Sequence, residues 1–144
     1  MDQAALQAAL DLGIETGGWC PPGRFCEEGI IPERFTLKET KHDRSDNASH
    51  VPRSLRSEFN VRDSDATLVI SPLKEDPGTM WTIECRRVYD KSCLIIDPLS
   101  DDPQVVRDWL RSNTIGILNV AGPGESSFPG VFQIAYSFLI KILS

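Results

Sequence analysis

The chain has 144 residues, 40% hydrophobic and 25% charged, with 15 basic against 21 acidic side chains and a formal charge of −6. That is the size and make-up of one globular domain with a real core. The acidic balance argues against nonspecific nucleic-acid binding, but it leaves room for an anionic small ligand, because backbone N–H groups and helix N-termini hold anions without net positive charge.

In chain order, Asp2 to Leu12 reads as a helix with Asp2 as N-cap and Gly13 as its C′ stop, and Ala5, Leu6, Ala9 and Leu10 share one face. Only Met1 precedes it, so either the sheet lacks a first strand or the sequence starts late. Ile14 to Trp19 reads as a short strand ending at Gly17-Gly18, and Cys20-Pro21-Pro22-Gly23 breaks any regular element. From Arg24 to Arg53 the chain is polar, with apolar character only at Ile30-Ile31 and Phe35-Thr36-Leu37. This predicts a long surface excursion with one or two extended pieces, a length of irregular chain that usually carries function or motion. Arg53 to Asn60 suits two helical turns carrying Leu55 and Phe59.

Ala66 to Ile70 is a continuous apolar run, the pattern of a strand covered on both faces. A turn from Pro72 to Gly78 follows, and Thr79 to Tyr89 is a helix whose stripe is Trp81, Cys85 and Val88, with Ile83 beside it. Cys93 to Ile96 is the next buried strand, ended by Asp97-Pro98. Asp102 to Arg111 is a helix with Pro103 at its first position and Val105, Val106, Trp109 and Leu110 inward. Ile115 to Val120 is a third strand, and Gly122-Pro123-Gly124-Glu125-Ser126 a second glycine-rich corner. Pro129 to Leu143 closes the chain as an apolar helix, with Val131, Ile134, Ala135, Phe138 and Leu139 suited to the core. Phe132 and Ile140 make the stripe wide enough for a subunit contact as well, which predicts a homo-oligomer. Alternating strands and helices imply a Rossmann-like α/β fold, a mainly parallel sheet between two helical layers, in one domain over residues 1–144.

No window holds eighteen consecutive apolar residues, and Met1-Asp2-Gln3 has neither a basic start nor an apolar run. No membrane span, no export signal and a cytoplasmic location are expected. Cys20, Cys26, Cys85 and Cys93 do not have zinc-knuckle spacing, so reduced thiols are the default.

The chemistry-bearing residues each admit two readings. Gly78-Thr79 either aims helix N–H groups and a hydroxyl at a phosphate or is a turn with a Thr N-cap. Gly122 to Ser126 either supplies backbone donors to an anion or simply joins strand to helix. Arg62 with Asp63 and Asp65 either reaches a ligand phosphate and orients it, or forms a local ion pair and turn cap. Asn119 either faces the crevice at the strand ends or satisfies nearby backbone. Trp19 beside Cys20 either stacks on a flat ring or is a structural indole next to a buried thiol. Glu84 either does acid–base work or pairs with Arg87 one turn on. His42 and His50 have no companion ligands.

Taken together, Asp2-Gln3-Ala4-Ala5-Leu6, Gly17-Gly18-Trp19-Cys20-Pro21, Asn60-Val61-Arg62-Asp63-Ser64-Asp65-Ala66-Thr67, Pro77-Gly78-Thr79 with Thr82, and Leu118-Asn119-Val120-Ala121-Gly122-Pro123 with Glu125 form ordered blocks spanning nearly the whole chain. In these blocks the chain resembles the putative molybdenum cofactor carrier proteins. They are a Rossmann-like group in a superfamily of nucleotide-ligand-binding domains that also includes the lysine decarboxylase-like phosphoribohydrolases. The resemblance implies a site for molybdenum cofactor (molybdopterin), or a related nucleotide, at the carboxyl ends of the strands. It would be built from Gly78, Thr79, Thr82, Arg62, Asp63, Asn119, Gly122, Glu125 and Trp19, with a small phosphorylated ligand as partner and no metal ligand of its own. Two departures stand out. The family's first strand and Gly-Gly-Gln-Thr-Gly-Val corner before the position of Asp2 are absent, and Pro77 replaces a glycine. The first departure predicts an N-terminally truncated domain, and with it a non-binding fragment as one alternative. A nucleoside-monophosphate phosphoribohydrolase is the other.

Overall fold

The computed structural model describes residues 1–72 and 76–144. Its elements are α1 (Asp2–Asp11), β1 (Trp19–Cys20), β2 (Phe25–Cys26), β3 (Gly29–Ile30), β4 (Lys38–Glu39), α2 (Ser54–Arg62), β5 (Ala66–Ile70), α3 (Pro77–Val88), β6 (Ser92–Ile96), α4 (Pro103–Ser112), β7 (Leu118–Ala121) and α5 (Val131–Leu143). The main sheet is parallel, in the order β6-β5-β7. β5 is central: Thr67 lies opposite Cys93 on one side and Asn119 on the other.

All five residues of β5 are buried, as an apolar strand flanked on both edges and covered on both faces must be. Leu68 and Ile70 face a core made with Ala4 and Ala8 of α1, Val106 of α4, and Ala135, Phe138, Leu139 and Ile142 of α5. Alternation turns Thr67 and Val69 to the other side, where α2 and α3 pack on each other. This is the expected three-layer arrangement.

α1 ends as expected. Gly13 takes φ +72, its N–H donates to the Leu10 carbonyl, and the Ile14 N–H donates to the Ala9 carbonyl at 2.8 Å. These are the two bonds of a Schellman stop. Asp2, however, is not the cap. Met1 is the N-cap residue, and Asp2 pairs with Arg56 of α2 instead.

Other expectations are corrected. Residues 14–18 are not a strand. β1 begins after Gly17-Gly18, lies outside the main sheet, and pairs in parallel with β4. Gly18 (φ +123) is required there, because a Cβ would stand 2.9 Å from the Asn60 Oδ1 that accepts the Trp19 N–H. α2 runs to Arg62, two residues past the expected end at Asn60. α3 begins at Pro77, capped by Asp76, so Thr79 is inside the helix. Pro77 sits at the first position, where a missing N–H costs nothing. The centre of the expected 72–78 turn, residues 73–75, lies outside the described residues.

The inner face of α3 is Thr79, Thr82 and Cys85, whereas Val88 is 63% exposed. Both hydroxyls bond locally, Thr79 to Asp76 and Thr82 to the Gly78 carbonyl, so burial leaves neither unpaired. β6 is an edge strand with Ile95 exposed, not a strand covered on both faces. β7 starts at Leu118. Residues 116 and 117 form a turn whose N–H groups donate to Asp65 Oδ2 at 2.9 and 2.7 Å. The α5 stripe is spent on the core. Exposed apolar side chains lie elsewhere, among them Met80, Val88, Ile95, Leu99 and Val105.

Candidate functional site

A cleft of about 970 Å³ opens where the first turns of α1 and α3, the strand β1, the outer side of β7 and the 122–127 corner meet. Trp19, Asp63, Gly78, Thr79, Thr82, Asn119, Gly122 and Glu125 all line it. Arg62 does not. Its guanidinium lies 4.0 Å over the Phe59 ring and grips Asp63 with both arms, Nε to Oδ1 at 2.8 Å and Nη2 to Oδ2 at 3.0 Å. The ion-pair alternative is the one the structure shows.

Asp63 also accepts the Trp19 indole N–H at 2.9 Å. The Arg62 hydrogen bonds, with that of Trp19, hold the Asp63 carboxyl down to about 2 against burial, which opposes them. Trp19 packs edge-on against Phe59, with the Lys38 ammonium 5.5 Å from its ring. Asn60 closes the clamp by taking the Trp19 N–H at 2.8 Å and donating to its carbonyl at 3.2 Å. The indole is therefore fixed in the cleft wall by its edge and its backbone. Cys20 beside it is buried, and burial pushes its thiol up.

At each glycine-rich corner a carboxylate of the corner itself takes helix N–H groups. The Asp76 carboxylate accepts the Thr79 N–H at 3.0 Å and the Thr79 hydroxyl at 2.9 Å, and its other oxygen takes the Ser127 hydroxyl at 3.1 Å. Asp76 thus caps α3 and ties the two corners together. Glu125 accepts the Gly130 and Phe132 N–H groups, both at 2.8 Å, and these bonds lower its pKa. Both helix N-termini already hold a carboxylate of their own. Gly122 has a packing reason to be glycine: a Cβ would stand 2.2 Å from the Ile70 carbonyl oxygen. Asn119 donates to the Thr67 hydroxyl at 3.2 Å.

The basic side chains of the cleft are Lys38, Arg53 and Arg56, and none was singled out by the sequence. Arg56 sits on the inner side of α2, ion-paired through Nη1 to Asp2. Its Nε is, among the described residues, the one buried side-chain nitrogen or oxygen without a hydrogen-bond partner. No motif marks Arg56. The only local signal is a cation on a helix face that must pack. Glu84 does not line the cleft and pairs with Arg87. No group of three metal-ligating side chains occurs among the described residues, and no helix there is long and apolar enough to cross a membrane.

A model of the circularly permutated YpsA SLOG family matches residues 1–143. A solved structure from Syntrophus aciditrophicus SB, titled a putative molybdenum carrier protein, superposes with a TM-score of 0.87 at 34% identity, over 99% of this chain and 88% of the other. No curated protein matches the chain.

Proposed function

The chain belongs to the circularly permutated YpsA SLOG family, and from this we propose that it is a carrier for a small phosphorylated ligand with a flat heteroaromatic head, molybdopterin being the first candidate. The carrier idea comes from the similarity to the solved carrier-titled structure. What supports it in the fold is that Lys38, Arg53 and Arg56 line the same cleft as the Trp19 indole clamped by Asp63. The residues fit such a ligand. Arg53, Arg56 and Lys38 supply charge for a phosphate, Trp19 supplies an immobilised ring for a pterin or base, and the volume lies in the range of small-molecule sites.

Direct titration of the purified chain with molybdopterin, guanosine monophosphate and adenosine monophosphate tests the proposal. Saturable binding of at least one of them, weakened about tenfold or more in Arg56→Ala, is expected. Absence of binding to all three at millimolar concentration refutes the proposal.

A further inference from the structure

The turn of the small β2–β3 hairpin consists of Glu27 and Glu28, and it reaches across the cleft to the 122–127 corner. Glu27 Oε2 accepts the Ser126 N–H at 3.3 Å, and Oε1 lies 3.7 Å from Arg53 Nη2. A Cβ on Gly124 would come within 2.6 Å of that same Oε1. So one negative group, brought from 99 residues away, occupies a seat made of a backbone N–H, a guanidinium and the space left by a glycine.

The three carboxylates at the corners differ in kind. Asp76 and Glu125 bind N–H groups within their own turns, at 2.8 to 3.0 Å. Glu27 makes one long hydrogen bond and one loose ion pair, and about a third of its side chain and of Arg53's is exposed. It is the weakest held of the three and the only one of them carried on a separate hairpin. A phosphate offers the same guanidinium and N–H up to two charges and three acceptor oxygens, where the carboxylate offers one charge and two.

We propose that Glu27 is the internal occupant of an oxyanion seat formed by Ser126 N–H, Arg53 and Gly124, and that a phosphate group of the ligand binds there by displacing it. Glu27 thereby sets the affinity for the phosphate end and makes binding depend on movement of the hairpin turn. The inference rests on the cleft being a ligand site, and it names the position and the competitor within it.

The test is calorimetric titration of the full chain with inorganic pyrophosphate, for wild type, Glu27→Ala, Glu27→Gln and Glu28→Ala, with circular dichroism checking that each variant folds. Glu27→Ala is expected to bind about tenfold or more tightly than wild type. Glu27→Gln, which keeps an acceptor but loses the charge, is expected to fall between them. Glu28→Ala removes an equal charge from the same turn and is expected to stay within about twofold of wild type, because surface charges that make no direct contact are screened. Adding Arg53→Ala to Glu27→Ala is expected to abolish the gain. Equal gains in Glu27→Ala and Glu28→Ala would reduce the effect to net charge and overturn the seat, as would no gain in Glu27→Ala. If no variant binds pyrophosphate while molybdopterin or a nucleotide still binds, the seat is wrong and the cleft stands. If nothing binds, both fall.

Discussion

Replacing Asp63 by Asn removes the charge that fastens β1 to the end of α2. In the folded chain Asp63 takes three hydrogen bonds, two from Arg62 and one from the Trp19 indole. Its pKa falls from the ordinary 3.8 to about 2. A difference of that size corresponds to a nominal ~2.4 kcal/mol. Close to half of the Asp63 side chain sees water, however, so screening leaves about 1 kcal/mol. The Arg62 contact joins adjacent residues and partly persists in the unfolded chain. The Trp19 bond, 44 residues distant, does not.

The folded pKa is depressed, so the stabilisation is complete above about pH 4 and is lost as pH falls toward 2. Urea unfolding at pH 7, 4, 3 and 2.5 measures this. Wild type is expected to exceed Asp63→Asn by about 1 kcal/mol at pH 7 and to lose about half of that margin between pH 4 and 2.5. The gap is expected to narrow in molar salt. Identical pH profiles for the two proteins would refute the clamp.

Three further outcomes concern other parts of the fold. Gly122→Ala places a methyl 2.2 Å from the Ile70 carbonyl oxygen, and the resulting overpacking is expected to lower unfolding stability by about 1–3 kcal/mol with an unchanged urea slope. Asp76→Ala uncaps α3 and is expected to cost about 1 kcal/mol in the same assay. Cys85 is buried and burial pushes its thiol up to about 12, so at pH 8 iodoacetamide is expected to leave it unmodified until the chain is unfolded, as read by peptide mass spectrometry.

Much of the frame was legible because its signals are local. Ala66 to Ile70 matches β5 to the residue, since a short run ending in Leu-Val-Ile lies between a Ser-Asp turn and Ser71-Pro72. Asp102-Pro103 announced the cap and first turn of α4, and the Asp102 carboxylate does take the Gln104 N–H. Periodicity did less well where two faces compete. Trp81, Cys85 and Val88 suggested the inner face of α3, but the Thr residues at 79 and 82 bury more readily than expected because each hydroxyl bonds within the first turn. Val105 is half exposed although its neighbour Val106 is fully buried.

The residues of the cleft were legible as types but not as partners. Both corners were found from their glycines and both line the cleft. The sequence leaves open whether their N–H groups meet a ligand or the chain's own carboxylates. Asp76 lies three residues before Thr79, and either side chain could cap a helix there, so the sequence did not decide which one did. Glu125 sits five residues before the N–H it takes from Gly130, beyond the usual capping spacing. The contacts of Glu27 with Ser126, of Trp19 with Asp63 and of Arg56 with Asp2 join residues 99, 44 and 54 positions apart, and no periodicity reports a contact of that kind. The family blocks placed Trp19, Asp63 and Asp2 in the right neighbourhood without saying that they touch.

A carrier role requires that the cleft walled by Trp19, Arg53 and Arg56 hold a phosphorylated, flat-ringed ligand. The most direct measurement is equilibrium titration of molybdopterin into wild type and Arg56→Ala, followed by quenching of tryptophan emission, since Trp19 lies in the wall. Saturable quenching in wild type, shifted about tenfold or more to higher concentration in Arg56→Ala, is the predicted result. Identical titrations of the two proteins, or no saturable signal from wild type, would contradict it.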